Sequence, residues 1–138
     1  MSTTFTEEAI RLLDGPALTH LAFDVGLAPE GTRPWIDDRP FVGPEFWAPH
    51  LQLRQACAAF RRLRARGWST ACTWFADDRQ YGEAWASCST RSYSARWPCD
   101  VPTEALALLL VSVLVVHHVQ RMAPGGETMQ PIVEQLSP

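Results

Sequence analysis

The chain has 138 residues, 46% of them hydrophobic and 20% charged, proportions that fit one ordinary globular domain and exclude a disordered polar segment. A domain of this length buries roughly two thirds of its unfolded surface, so disulfide or metal staples are optional. The formal net charge of −3 excludes the strong overall positive field that a non-specific nucleic-acid binder carries.

In chain order, Thr4-Phe5-Thr6-Glu7 reads as a capping box ahead of the apolar pair Ile10 and Leu13. Asp14-Gly15-Pro16 breaks that helix and restarts it, with Leu18, Leu21, Ala22 and Val25 at helical spacing. The expectation is a helix in two pieces, over residues 5–13 and 16–25. Glu7 and Glu8 stand where a secretory signal would carry a basic segment followed by an apolar run, which points to the cytoplasm.

From Gly26 to Pro49 there are five prolines and no sustained period, which predicts a long loop. Trp35, Phe41, Phe46 and Trp47 make it too aromatic for disorder, so it should pack onto the domain. His50 to Arg66 then reads as an amphipathic helix with the stripe Leu53, Ala56, Cys57, Phe60 and Leu63, and Gly67 as its stop. Arg54, Arg61, Arg62, Arg64 and Arg66 crowd the other side, where a solvated, dipole-matched face explains them better than a phosphate site.

Trp68 to Ala76 alternates, placing Trp68, Thr70, Cys72 and Trp74 on one face and Ser69, Ala71, Thr73 and Phe75 on the other. Asp77-Asp78-Arg79-Gln80 turns the chain into a return strand over residues 82–88 around Trp85, and Ser89-Thr90-Arg91 leads to a third strand over 92–97. Pro98 ends this three-stranded antiparallel meander, Asp100 can cap the next helix, and Ala105 to Arg121 completes it. The run Ala105 to Val116 is twelve residues, short of the roughly 20 that span a bilayer, so a buried helix is expected and no membrane contact. Being apolar nearly all round, that helix must be covered on more than one side, either by the sheet and another element or by a second subunit, which predicts a homo-oligomer. The fold class is therefore α+β, one domain over residues 1–122 with a mobile tail over 123–138.

The order and wording of these segments resemble the phage ABA sandwich domain, a small family of phages and prophages. The words are Leu13-Asp14-Gly15-Pro16-Ala17-Leu18 with His20-Leu21-Ala22 and Val25-Gly26, then Leu63-Arg64-Ala65-Arg66-Gly67-Trp68, and finally Tyr93-Ser94-Ala95 leading into Thr103-Glu104-Ala105-Leu106-Ala107-Leu108. They cover about residues 13 to 118. The last helix departs from the family's small-residue-rich pattern, being heavier in Leu and Val. The resemblance implies no catalytic residues, since the family has none assigned. It implies interference with a host system.

Reaction motifs are missing. There is no Gly-x-Ser-x-Gly elbow for His20, His50, His117 or His118 to serve, and no glycine-rich phosphate loop. Adjacent His117 and His118 point about 100° apart on a helix and suit dipole complementation better than metal ligation. Cys57, Cys72, Cys88 and Cys99 have no CxxC spacing and read as small core hydrophobes. No metal and no cofactor is expected.

What remains is a concentration of aromatic and cationic side chains around the meander, from which Arg91, Tyr93, Arg96 and Trp85, with Trp35 and Trp47 from the loop, are the expected binding residues. By period two, Arg91, Tyr93 and Trp97 share one strand face and Arg96 takes the other. The leading expectation is a non-enzymatic anti-defence binding protein that blocks a host protein or sequesters a nucleotide-like signal. A small hydrolase or nucleotide-processing enzyme and a phage structural or assembly subunit are the alternatives.

Overall fold

The computed structural model describes residues 6–36, 43–98 and 100–122. Everything in it is arranged around one central helix, α4 (Glu104–Met122), whose side chains from Ala107 to Val116 are all buried. The sheet covers one side of this helix and three shorter helices cover the rest. The one buried hydroxyl on α4, Ser112 Oγ, donates to Leu108 O at 2.7 Å, so this helix brings no unpaired hydroxyl into the core.

Of the two coverings expected for this helix, the sheet together with other elements of the same chain buries the stretch from Ala107 to Val116. The helix is longer than its apolar run suggests, and by length and composition it would suffice to cross a membrane. Here its apolar surface is consumed by intrachain packing.

The first helix does form in two pieces, α1 (Glu7–Arg11) and α2 (Gly15–Asp24). Thr6 caps α1 by accepting from Ala9 N at 3.1 Å, with Ala9 where a capping box would carry a carboxylate. The Thr4 half of the expected box lies outside the described residues. Asp14 caps α2 by accepting from Ala17 N at 3.0 Å, with Pro16 in the first turn, where its missing N–H costs nothing. Gly26, at φ 88°, then lets Leu27 N reach back to Ala22 O and close α2.

Among its described residues the long loop is irregular except for two parallel two-residue strands, β1 (Arg33–Pro34) and β2 (Phe46–Trp47). Trp35, Phe46 and Trp47 are buried, as expected for a loop that packs; Phe41 lies outside the described residues. Gln55 staples the loop to α3 (Leu53–Arg62), accepting from Ala48 N and donating to Phe46 O, both at 2.7 Å. α3 starts later than expected and tightens into a 3₁₀ turn over Leu63–Arg66 before Gly67, at φ 89°, stops it. Its buried face is Ala56, Ala59 and Phe60 with Leu63 beyond, which leaves Leu53 exposed and Cys57 half-buried. The apolar stripe is thus rotated from the one the sequence suggests.

The arginines on the other side are more than a solvated face. Arg62 donates to Leu27 O and Arg64 Nε to Thr70 Oγ1 at 3.0 Å, tying the helix to the loop after α2 and to the sheet.

The meander is β3 (Ser69–Phe75), β4 (Tyr81–Ser87) and β5 (Ser92–Trp97), antiparallel in that order, with Ala71 opposite Trp85 and Glu83 opposite Arg96. Gly82, Ala84 and Ala86 form the buried face of β4, and such small side chains let α4 approach the strand closely. Asp100 does not cap α4. It accepts from Arg96 N at 3.2 Å, and Thr103 Oγ1 accepts from Leu106 N instead. The fold is α+β with the last helix packed on the sheet. The expected tail lies outside the described residues.

Candidate functional site

The alternation of β4 and β5 divides the six expected binding residues among three places. Tyr93 faces inward, 5% exposed, with Arg91 beside it; the guanidinium of Arg91 sits 5.6 Å from the centre of the Tyr93 ring. Trp85 and Arg96 face outward, on the side of the sheet away from α4. Trp35 and Trp47 are corrected to core residues. Trp47 is 1% exposed and donates from Nε1 to Thr19 O at 3.0 Å, while Trp35 is 8% exposed and packs edge-on against His50 with ring centres 4.6 Å apart. Neither indole presents a surface to a ligand.

The outer sheet face carries Phe75, Tyr81 and Trp85. Phe75 and Tyr81 are a cross-strand pair, 5.3 Å between ring centres, where β3 turns into β4. Arg79 lies 4.1 Å over Phe75, and Arg96 lies 4.7 Å over Tyr81, so the two rings are bracketed by two guanidinium groups. Such contacts are worth about 0.5–1 kcal/mol each at exposed positions, enough to order the side chains without burying them. Arg79 also holds Asp77 through an ion pair of 2.8 Å, which pulls that carboxyl down to about 2. Trp85 stands two residues along β4 from Glu83, and the small side chains of Ala71 and Ser94 flank it on the neighbouring strands.

Two further groupings bear on catalysis. Cys57 and Cys72 line a cleft of about 290 Å³ with Arg61, Arg64 and Glu104, and Cys72 Sγ donates to Glu104 Oε2 at 3.6 Å. Burial and the adjacent carboxylate push the Cys72 thiol up to about 11 and raise Cys57, so both sulfurs stay protonated and poorly nucleophilic. Cys72 is exposed, which corrects the expectation that the cysteines are core hydrophobes; Cys99 lies outside the described residues. The second grouping is Thr19 and His50, whose Oγ1 and Nδ1 share a hydrogen bond of 2.6 Å. This resembles a nucleophile and its base, but Thr19 is 1% exposed and no substrate can reach it.

The sequence marks Trp85 and Arg96 on the meander as binding residues but singles out neither Phe75 nor Arg79. The signal was available, since Phe75 and Tyr81 end strands joined by a turn that contains Arg79. Sequence reasoning also left His117 and His118 to the helix dipole, although together with Arg121 they share a cleft with Arg91 and Tyr93. That proximity comes from β5 packing on α4, a tertiary relation with no local signature. No family model, no curated protein and no solved structure matches this chain. Among the described residues no grouping of His, Cys, Asp and Glu is arranged to hold a metal ion.

Proposed function

We propose that this chain is a non-enzymatic binding protein and that the outer face of the meander is its contact surface for another protein. One observation carries the reading: Trp85, Phe75, Tyr81 and Arg96 all project from the sheet face that points away from the helices. Trp, Tyr and Arg dominate the energetics of protein interfaces, because each buries a large area while keeping a polar handle. The rings are already held in place by Arg79 and Arg96, so less side-chain freedom is lost on docking. The protonated thiols and the inaccessible Thr19 favour binding over a hydrolase reading.

The use we attach to this surface is anti-defence, the blocking of a host protein in the host cytoplasm by a phage- or prophage-encoded domain. The resemblance in residue order described above supports that step. A homo-oligomer would use a surface other than the buried stretch of α4, and the outer sheet face offers one.

A photo-crosslinking side chain at Thr73, on the outer face, tests the reading in a host cell, with one at Arg54 on α3 as the control. The expected result is one discrete adduct with a host protein from position 73, none from position 54, and loss of the adduct in W85A/R96A with an unchanged melting temperature. Adducts only between copies of this chain would replace the host partner with self-association. No adduct at all would sink the reading.

A further inference from the structure

A second surface, on the helix side of the sheet, carries chemistry that the outer face does not use. A cleft of about 110 Å³ lies where the start of β5 meets the C-terminal half of α4 and the beginning of α1. Its polar lining is Arg91, Tyr93, His117, His118, Arg121 and Glu7. The ion pairs among the described residues are Arg11 with Glu7 at 3.0 Å and Arg79 with Asp77 at 2.8 Å. The cleft's one carboxylate is therefore engaged by Arg11, while Arg91 and Arg121 make no ion pair among the described residues.

We propose that this cleft is an oxyanion site that takes a phosphoryl group, either as free phosphate or as the terminal phosphate of a nucleotide. Two guanidinium groups supply forked donors suited to a tetrahedral oxyanion. The Tyr93 ring supports Arg91 from beneath at 5.6 Å. His118 is fixed edge-on against both Trp68 and Tyr93, with ring centres 6.1 and 6.0 Å away, so its imidazole is held in the cleft wall. The space is well below the several hundred Å³ that encloses a whole drug-sized ligand, so it fits the charged group and leaves any attached nucleoside outside.

Helix-dipole complementation does not account for this set. It acts over the last turn of α4 and covers Arg121, but His117 and His118 lie further in, and Arg91 belongs to another element. Burial holds both histidines below their ordinary pKa, and the positive charge of Arg121, joined at His118 by Arg91, lowers them further. Among the described residues lining the cleft, Glu7 is the one acidic group, and Tyr93, itself raised by burial, stays neutral. A bound dianion reverses the balance by attracting protons to both imidazoles. Binding and proton uptake are therefore coupled.

Sulfate is the cleanest probe of the coupling, because its charge does not change over the range in which histidine titrates. Titrated at low ionic strength, it should shift the His117 and His118 ring resonances saturably and bind about tenfold or more tightly at about pH 6 than at about pH 8. Inorganic phosphate and a nucleoside 5′-monophosphate, compared at one pH, then distinguish the sources: tighter binding of the nucleotide assigns the site to a nucleotide phosphate, and equal binding to free phosphate. Arg91 and Arg121 are both exposed, so R91Q/R121Q should keep the melting temperature and lose the response, whereas R79Q on the outer face should keep it. Absence of saturable shifts at His117 and His118, or shifts that persist in R91Q/R121Q, overturns the proposal. Neither result touches the outer-face reading, whose residues are elsewhere.

Discussion

The indole of Trp97 on β5 occupies the space into which a side chain on Gly82 of β4 would project. The two residues are register partners, and the absence of a Cβ at Gly82 lets Trp97 reach across the strand to Trp74 on β3, 6.4 Å between ring centres. This contact is how the sheet closes its helix side beyond the end of the alanine row. It also leaves Trp74 half exposed at the rim.

Replacing Gly82 with Ala should accordingly destabilise the fold, although Ala suits a strand better than Gly in general. Displacing a packed indole by overfilling costs about 1–3 kcal/mol. Chemical denaturation of G82A should show that loss, and W97A/G82A should recover part of it relative to the sum of the single changes. Equal stability of G82A and the parent would mean that Trp97 does not need the vacant position.

The relation also shows what the sequence made legible and what it did not. The alternation Gly82, Ala84, Ala86 against Tyr81, Glu83, Trp85 announces a strand with one thin and one bulky face, and the assignment of Arg96 opposite to Tyr93 follows from the same period. The unbroken apolar character of α4 announces burial on every side. What period two cannot convey is which face meets the helix, because an aromatic side chain serves equally in a core or on an open surface. Trp85 and Trp47 carry the same side chain, yet one is half-buried on the outer sheet face and the other lies in the core. The Arg91, His118 and Arg121 cleft was equally hidden, since it is assembled from residues up to thirty positions apart.

Acid should weaken the fold through its histidines. Burial lowers His50, and although Asp14 opposes this, nearby His20 reinforces it; His117 and His118 are lowered as well. The unfolded chain therefore holds more protons than the folded one just below the ordinary histidine pKa of 6.5. Stability is full above that pH and falls as the pH drops through the depressed folded values. Melting temperatures measured without phosphate or sulfate should decline from neutral pH toward about pH 5, and H50Q should flatten the decline. A pH-independent melt would remove the burial argument.

The arginines of α3 should separate into two classes. Arg61 is exposed and makes no ion pair among the described residues, so R61Q should shift stability by only a few tenths of a kcal/mol. Arg62 holds the Leu27 carbonyl, the contact that fastens the loop after α2, and a charge-assisted bond of that kind is worth about 1 kcal/mol or more. R62Q should therefore lower the denaturation midpoint clearly more than R61Q. Indistinguishable variants would return the whole cluster to the solvent.

The two buried tryptophans of the loop should respond differently to the same substitution. Trp47 Nε1 donates to Thr19 O at 3.0 Å, whereas Trp35 Nε1 is buried with no partner among the described residues. Changing Trp47 to Phe deletes a satisfied donor and leaves a void in a fully packed site, a loss of about 1–3 kcal/mol. The same change at Trp35 also removes ring contact with His50, but it deletes a donor whose unpaired burial costs about 1–3 kcal/mol, so the two terms offset. W35F should be close to the parent in stability and W47F clearly below it. Comparable losses in both variants would show that the Trp35 indole N–H is satisfied in solution, and the cancellation argued here would fail.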